Sequence, residues 1–100
     1  MLLSSFEEIT MKIVSTREKV SKELERLDFK VLESKANFLF VSHNKMSGKF
    51  LYETLKDNGI LVRYFNKERI DNFLRITIGT DEEMNILIDK LQQILKTKNI

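Results

Sequence analysis

Cysteine is missing from this 100-residue chain, which excludes disulfides, thiolate metal sites and cysteine nucleophiles. The single histidine, His43, excludes a metal site built from several histidines. The sequence also lacks an apolar run of membrane-spanning length, and we expect no signal peptide ahead of the first helix. These absences favour a soluble, globular, cytoplasmic protein with no membrane partner.

An excess of charge of one sign is lacking as well. The 17 Lys and Arg residues are interspersed with 15 Asp and Glu residues, and the formal net charge is +2. This distribution is typical of a solvated surface and differs from the concentrated basic patch of a nucleic-acid-binding protein. The length allows one domain, which buries roughly three-fifths to two-thirds of its unfolded surface.

Capping motifs and hydrophobic spacing predict three helices. The capping box Ser5-Phe6-Glu7-Glu8 precedes apolar residues at helical spacing and predicts a long amphipathic helix over residues 5–28. Ser47 is placed to cap a second helix, which ends at Asn58-Gly59, where glycine fits a left-handed stop. A second capping box begins at Thr80 and opens the last helix. The apolar stripe of that helix consists of Met84, Leu87, Ile88, Leu91, Ile94 and Leu95.

Four short apolar segments predict strands over residues 30–32, 37–41, 60–64 and 73–78. Residues 34–36 are expected to connect the first two strands, and residues 66–72 to form a loop. The order α-β-β-α-β-β-α predicts an α/β (α+β) two-layer domain with a mixed, mostly antiparallel four-stranded sheet. We expect the helices to cover one face of the sheet and a ligand or partner to use the other.

The fourth strand places one charged side chain among apolar ones. Alternation along Leu74–Ile78 puts the three aliphatic residues on one face, and Phe73, Arg75 and Thr77 on the other. A guanidinium stays charged and is costly to desolvate without a partner. Its planar fork fits a carboxylate or a phosphate. Two interpretations stay open at this point: a structural ion pair with a nearby Asp or Glu, and a bound anionic ligand.

Three motifs of this sequence resemble those of one enzyme family and occur in the same order. They are Ser34-Lys35-Ala36-Asn37-Phe38-Leu39, Gly59-Ile60-Leu61-Val62-Arg63, and Leu74 to Thr80 followed by Glu82-Glu83-Met84-Asn85. Together they resemble the C-terminal small domain of histidinol-phosphate aminotransferase, a fold-type-I enzyme dependent on pyridoxal phosphate. The segment from Arg17 to Leu27 resembles the helix that leads from the large domain into the small one. The resemblance implies a linking helix over residues 1–28 and a small domain over residues 29–100.

The resemblance implies a substrate-binding role for three residues. Arg75 matches the strand arginine that binds the acidic group beside the reacting carbon. That group is the carboxylate of glutamate or the phosphate ester of histidinol phosphate. Arg63 matches the family's second arginine and would assist with the phosphate. Asn37 is the third candidate, although its amide fits a turn hydrogen bond equally well. One guanidinium that accepts either anion would serve both substrates of a transamination between histidinol phosphate and 2-oxoglutarate.

Other residues near these motifs have simpler interpretations. We expect Phe38 and Phe40 to belong to the core, and His43 to be exposed in a polar loop. Tyr64 and Phe65 adjoin Arg63 and are weaker candidates for the wall of a substrate pocket.

Pyridoxal phosphate chemistry requires a Schiff-base lysine and an acidic partner for the pyridine nitrogen. The lysines of this chain lie in polar contexts, and none is in a segment that resembles the family's lysine motif. The resemblance therefore implies a cofactor bound by the large domain of the same enzyme, in a homodimeric parent. For this segment alone we expect no catalytic lysine, cofactor or metal.

Three alternatives remain. The first is that the chain is the same domain from a related threonine-phosphate decarboxylase. A free-standing regulatory module could bind an amino acid or another anion on the open face of the sheet. A single-stranded RNA binder would need aromatic side chains on an exposed sheet face. We expect no nucleic-acid partner, since Phe38 and Phe40 lie within apolar strands.

Overall fold

Seven elements follow the predicted order in the computed structural model, which describes residues 5–35, 37–65 and 72–98. The helices and strands are α1 (Ser5–Arg26), β1 (Phe29–Lys35), β2 (Phe38–His43), α2 (Gly48–Asp57), β3 (Arg63–Tyr64), β4 (Leu74–Thr77) and α3 (Asp81–Thr97).

The four strands form one sheet in the order β1-β2-β4-β3, and each neighbouring pair is antiparallel. The helix α2 connects β2 to β3, which run in the same direction. Because β4 returns between them, this parallel relation never becomes a hydrogen-bonded pair. The predicted small, mostly antiparallel sheet is confirmed, and the helical crossover accounts for its strand order.

A single hydrophobic core lies between the helices and one face of the sheet. Strands contribute Leu39, Val41, Leu74 and Ile76, all fully or almost fully buried. The stripe predicted for α3 is confirmed, since all six of its apolar residues are buried. Helix α1 packs on β1 and α3 and adds Val20 to the core. The helices therefore cover one face, as expected.

Two of the predicted helix boundaries are confirmed by their capping contacts. The Ser47 hydroxyl accepts a hydrogen bond from the Phe50 N–H at 3.1 Å and begins α2. Gly59 has a φ of 79° directly after α2, a conformation that costs little only for glycine. The predicted capping box at Ser5 involves side chains outside those the structure describes.

Two strand predictions need correction. Strand β1 continues to Lys35, so residues 34 and 35 belong to the strand, and a bulge between Val31 and Glu33 shifts its register against β2. Strand β3 is shorter than predicted, because the Ile60 N–H donates to the Leu55 carbonyl at 2.8 Å. That bond keeps Ile60 next to the end of α2, and the chain joins the sheet only at Arg63. The predicted loop at residues 66–72 lies mostly outside the described residues.

The expectation that His43 is exposed is wrong. It lies at the end of β2, is 4% exposed, and packs edge-on against Phe29 at 4.8 Å. Its Nδ1 accepts from the Lys45 N–H at 3.1 Å, so Nε2 carries the proton and donates to the Leu27 carbonyl at 3.0 Å. Both ring nitrogens are satisfied in the neutral form, and His43 is a structural residue of the core.

Candidate anion-binding site on the open sheet face

The face of the sheet away from the helices carries the candidate site. In β2 the residues Phe38 and Phe40 are half-buried there, while Leu39 and Val41 point into the core. We use "open face" for the surface formed by Phe38, Phe40, Arg63, Phe65, Phe73 and Arg75. The expectation that Phe38 and Phe40 belong to the core is therefore wrong. Alternation assigned the two faces correctly, but only the position of the helices decided which face is the inner one.

Two arginines meet on the open face. Arg63 of β3 lies directly opposite Arg75 of β4, and Phe40 of β2 lies opposite Arg75 on its other side. Residues directly opposite in an antiparallel pair have Cβ atoms about 4.5–5.5 Å apart on the same face, and like charges in such positions repel. The pairing therefore concentrates positive charge at one point of the sheet.

Carboxylates do not neutralise this pair among the described residues. The ion pairs found there are Lys12–Asp81 at 2.7 Å and Arg26–Glu23 at 2.9 Å, and neither involves Arg63 or Arg75. The interpretation of Arg75 as a structural ion pair therefore has no support in this part of the chain. A guanidinium pair that no described carboxylate contacts favours an anionic ligand.

Aromatic rings lie against both guanidinium groups instead. The Cζ atom of Arg75 lies over the Phe38 ring, 5.5 Å from its centroid, and the Cζ atom of Arg63 lies over the Phe65 ring at 5.7 Å. Phe40 contacts Phe65 edge-on at 5.4 Å. Arg75 is half-buried and Arg63 is exposed, so an anion in solvent can reach the pair.

Asn37 does not join the arginines. It is exposed in the turn before β2, and its carbonyl accepts from the Ile78 N–H at 2.7 Å, which ties the start of β2 to the end of β4. Within the described residues its side chain makes no contact with Arg63 or Arg75. Of the three residues predicted from the sequence, the structure brings two together. Tyr64, a weaker candidate, stacks on Tyr52 of α2 at 5.7 Å.

The end of β4 is anchored through the start of α3. The Thr80 hydroxyl accepts from the Glu83 N–H, and the Glu83 carboxylate accepts from the Thr80 N–H, which confirms the predicted capping box. This backbone hydrogen bond holds the pKa of Glu83 below its ordinary value. Hydrogen bonds from Lys12 and then Thr16 hold the pKa of Asp81 below its ordinary value and fasten α1 to α3.

The lysines of the described part of the chain lie mostly at the surface. They are exposed, apart from the half-buried Lys90, whereas a lysine activated for imine formation needs desolvation or cationic neighbours. The side chains of Lys35 and Lys67 are outside those described. No cluster of potential metal ligands occurs in residues 5–35, 37–65 and 72–98. None of the helices in these ranges is long and apolar enough to cross a membrane. The paired arginines of the described part of the chain thus fit an anion.

Sequence signals identified part of this site. The arginine in an apolar strand indicated Arg75, and the family resemblance indicated Arg63. Phe65 was only a weaker candidate for a pocket wall, and Phe38 was missed, although the phase of β2 already placed Phe38 on the same face as Phe40. The pairing of Arg63 with Arg75 had no local signal, because it depends on strand order.

Comparison with known proteins gives a consistent result. Residues 2–91 match the family model for aminotransferase class I and II. The histidinol-phosphate aminotransferase of Clostridium beijerinckii is 76% identical over 90 residues, which is 90% of this chain and 25% of that protein. The enzyme of the same name from Clostridium acetobutylicum is 52% identical over 90 residues, 90% of this chain and 26% of that protein.

A solved structure shares the fold. The histidinol-phosphate aminotransferase of Sinorhizobium meliloti, in complex with pyridoxal-5′-phosphate, matches with a TM-score of 0.80 and 24% identity. The match covers 91% of this chain and 26% of that one. The chain thus spans about a quarter of the length of the relatives it matches.

Proposed function

Because the chain belongs to the class I and II aminotransferase family, we propose that it is the C-terminal small domain of a histidinol-phosphate-type enzyme. In this proposal Arg75 and Arg63 bind the phosphate or carboxylate of the substrates. The family is dependent on pyridoxal phosphate, which supplies the chemistry of amino-group transfer when bound. The described residues of this chain bind and orient the substrate.

The single observation that carries the proposal is the pairing of Arg63 with Arg75 across neighbouring strands. Two guanidinium groups placed side by side repel each other unless an anion lies between them. No described carboxylate fills that position. In the proposal a substrate anion occupies the position between the two guanidinium groups. Their mutual repulsion in the free site is then replaced by attraction of both groups to the anion.

The different burial of the two arginines indicates a division of roles. A carboxylate has one charge and two oxygens, so a single fork satisfies it, and the half-buried Arg75 is the better placed for that task. A phosphate ester carries about 1.5 to 2 negative charges at neutral pH and three acceptor oxygens. It can engage both guanidinium groups, so the exposed Arg63 adds affinity mainly for the phosphate.

Orientation is the contribution of this site to the reaction. The anionic group of the substrate lies beside the carbon that carries the amine. Binding this group orients the amine toward the cofactor and so lowers the entropic part of the activation barrier. The large domain of the parent enzyme is the proposed partner, with glutamate or 2-oxoglutarate and histidinol phosphate as substrates. A homodimeric parent completes the proposal.

The proposal is tested by titrating the chain with inorganic phosphate and with glutamate while following the arginine Nε–H signals by NMR. We expect both anions to shift the signals of Arg63 and Arg75, with tighter binding for phosphate. Arg75→Lys should weaken both anions, because lysine keeps the charge and loses the fork, and Arg63→Lys should weaken mainly phosphate. Arg26→Lys, at the surface pair with Glu23, is the matched control.

Two results would contradict the proposal: no shift at either arginine with either anion, or an Arg26→Lys variant that weakens binding as much as Arg75→Lys. An absorption spectrum with added pyridoxal phosphate provides a separate check. We expect no imine band that glutamate discharges, since such a band would mean that a lysine of this chain is activated. A threonine-phosphate decarboxylase or a free-standing module would use the same two arginines, and the remaining coding sequence of the parent distinguishes them.

A further inference from the structure

We propose that Phe38 and Phe65 are positioning residues for the two arginines, and this inference rests on the proposed function. The Cζ atom of Arg75 lies over the Phe38 ring, 5.5 Å from its centroid, and the Cζ atom of Arg63 lies over the Phe65 ring at 5.7 Å. The two rings lie on opposite sides of the Arg63–Arg75 pair, because Phe38 is paired with Thr77 and Phe65 follows Tyr64, which is paired with Leu74. They hold each guanidinium group at a fixed position and leave its N–H groups for the anion.

The need for such residues follows from the charge of the site. Without support, the side chains of two arginines directly opposite each other take up many positions, because repulsion and side-chain entropy both oppose a fixed arrangement. A carboxylate would hold them, but it would occupy the same N–H groups that the substrate needs. The face of an aromatic ring attracts a guanidinium through its quadrupole and takes none of its hydrogen-bond donors.

The rings are themselves held in place, which makes them suitable supports. Phe65 meets the edge of Phe40 at 5.4 Å, and Phe40 stacks on Phe73 at 5.0 Å with an angle of 8° between the rings. Phe38 is paired with Thr77, two residues along β4 from Arg75, so its ring reaches the guanidinium diagonally. The support of each arginine thus comes from a ring on the same face of the sheet.

Replacement of each ring by an aliphatic or by another aromatic side chain tests the proposal. Phe38→Leu and Phe65→Leu keep apolar bulk and remove the π face, whereas Phe38→Tyr and Phe65→Tyr keep it. We expect the leucine variants to bind inorganic phosphate roughly two- to fivefold more weakly, and the tyrosine variants to bind it like the wild type. Phe50→Leu is the control, since the Lys98 ammonium group lies over the Phe50 ring at 4.3 Å and this change therefore removes a cation–π contact away from the open face.

A second measurement follows the positions of the arginines without any anion. NMR relaxation of the Nε–H groups should show faster motion of Arg75 in Phe38→Leu and of Arg63 in Phe65→Leu. Unchanged relaxation would overturn the inference, and so would tyrosine variants that lose as much affinity as the leucine variants. A wild-type chain that binds neither anion would contradict the proposed function instead, so the two failures are distinguishable.

Discussion

A double-mutant cycle at Arg63 and Arg75 gives the sharpest test of the charge arrangement. The three variants are Arg63→Gln, Arg75→Gln and the double variant, and the quantity compared is the free energy of unfolding in urea. Each single change also removes a cation–π contact, so its own effect on stability is mixed. The coupling free energy isolates the term between the two arginines, because these separate losses cancel in the cycle.

The magnitude follows from the cross-strand geometry. For two unit charges about 7 Å apart, a typical distance between cross-strand neighbours, Coulomb's law with effective dielectric constants of about 20 to 80 gives a repulsion of roughly 0.6–2.4 kcal/mol. Arg63 is exposed, so the lower end applies. After partial screening we expect an unfavourable coupling of about 0.3–0.6 kcal/mol at low salt.

Salt and phosphate change the coupling in different ways. The Debye length falls to about 3 Å in 1 M salt, so sodium chloride should bring the coupling close to zero. Saturating inorganic phosphate should reverse the sign of the coupling free energy. The wild type keeps both guanidinium groups, so phosphate binds it most tightly and stabilises it most. A parallel cycle of Arg63 with Arg26 is the control, since Arg26 pairs with Glu23 near the end of α1 and the two effects should add.

The result that would refute the reasoning is a favourable coupling in the absence of phosphate. It would mean that the two arginines share a protein carboxylate and form a structural ion-pair network. A coupling that does not respond to salt would contradict an electrostatic origin.

Three further predictions concern the frame of the site. Gly79→Ala should lower stability slightly, because a Cβ there would lie 2.9 Å from the Glu83 carboxylate and displace it from the capping box. The same change should cost nearly nothing in a Glu83→Ala background, as urea unfolding would show. The lowered pKa values of Asp81 and Glu83 mean that their contribution to stability is complete above about pH 5 and is lost as the pH falls below about 4. Unfolding measured from pH 7 to pH 2 should show this loss, and Asp81→Asn should reduce it. Leu39→Ala should cost about 2–5 kcal/mol in the fully buried core, whereas Leu61→Ala, at a side chain 78% exposed, should change stability by less than about 0.5 kcal/mol.

The aromatic rings of the open face bear on the alternative that the chain binds single-stranded RNA. RNA binding was disfavoured because Phe38 and Phe40 lie within apolar strands, yet both rings lie on the face without helices. Single-stranded RNA recognition uses exposed rings on which bases stack. Here the rings of Phe38, Phe40 and Phe65 are half-buried against arginines and one another, so anion binding remains the better match.

Short-range patterns identified much of the fold. The capping residues Ser47 and Thr80, the stop at Gly59 and the stripe of α3 were all predicted correctly. Each of these depends on residues within about four positions of one another, so the sequence contains the whole cause. The errors lie where a distant contact decides, as at His43, whose ring packs against Phe29 and hydrogen-bonds to the Leu27 carbonyl.

By itself the sequence determined which residues share a face of each strand. In β4 it placed Arg75 on one face and the aliphatic residues on the other. It did not determine which face the helices cover or which strands are neighbours. Those depend on the return of β4 between β2 and β3, a long-range packing choice that buries Leu74 and Ile76 against the helices. Only that choice sets Arg63 directly opposite Arg75, and it brings together the two charges of the proposed anion-binding site.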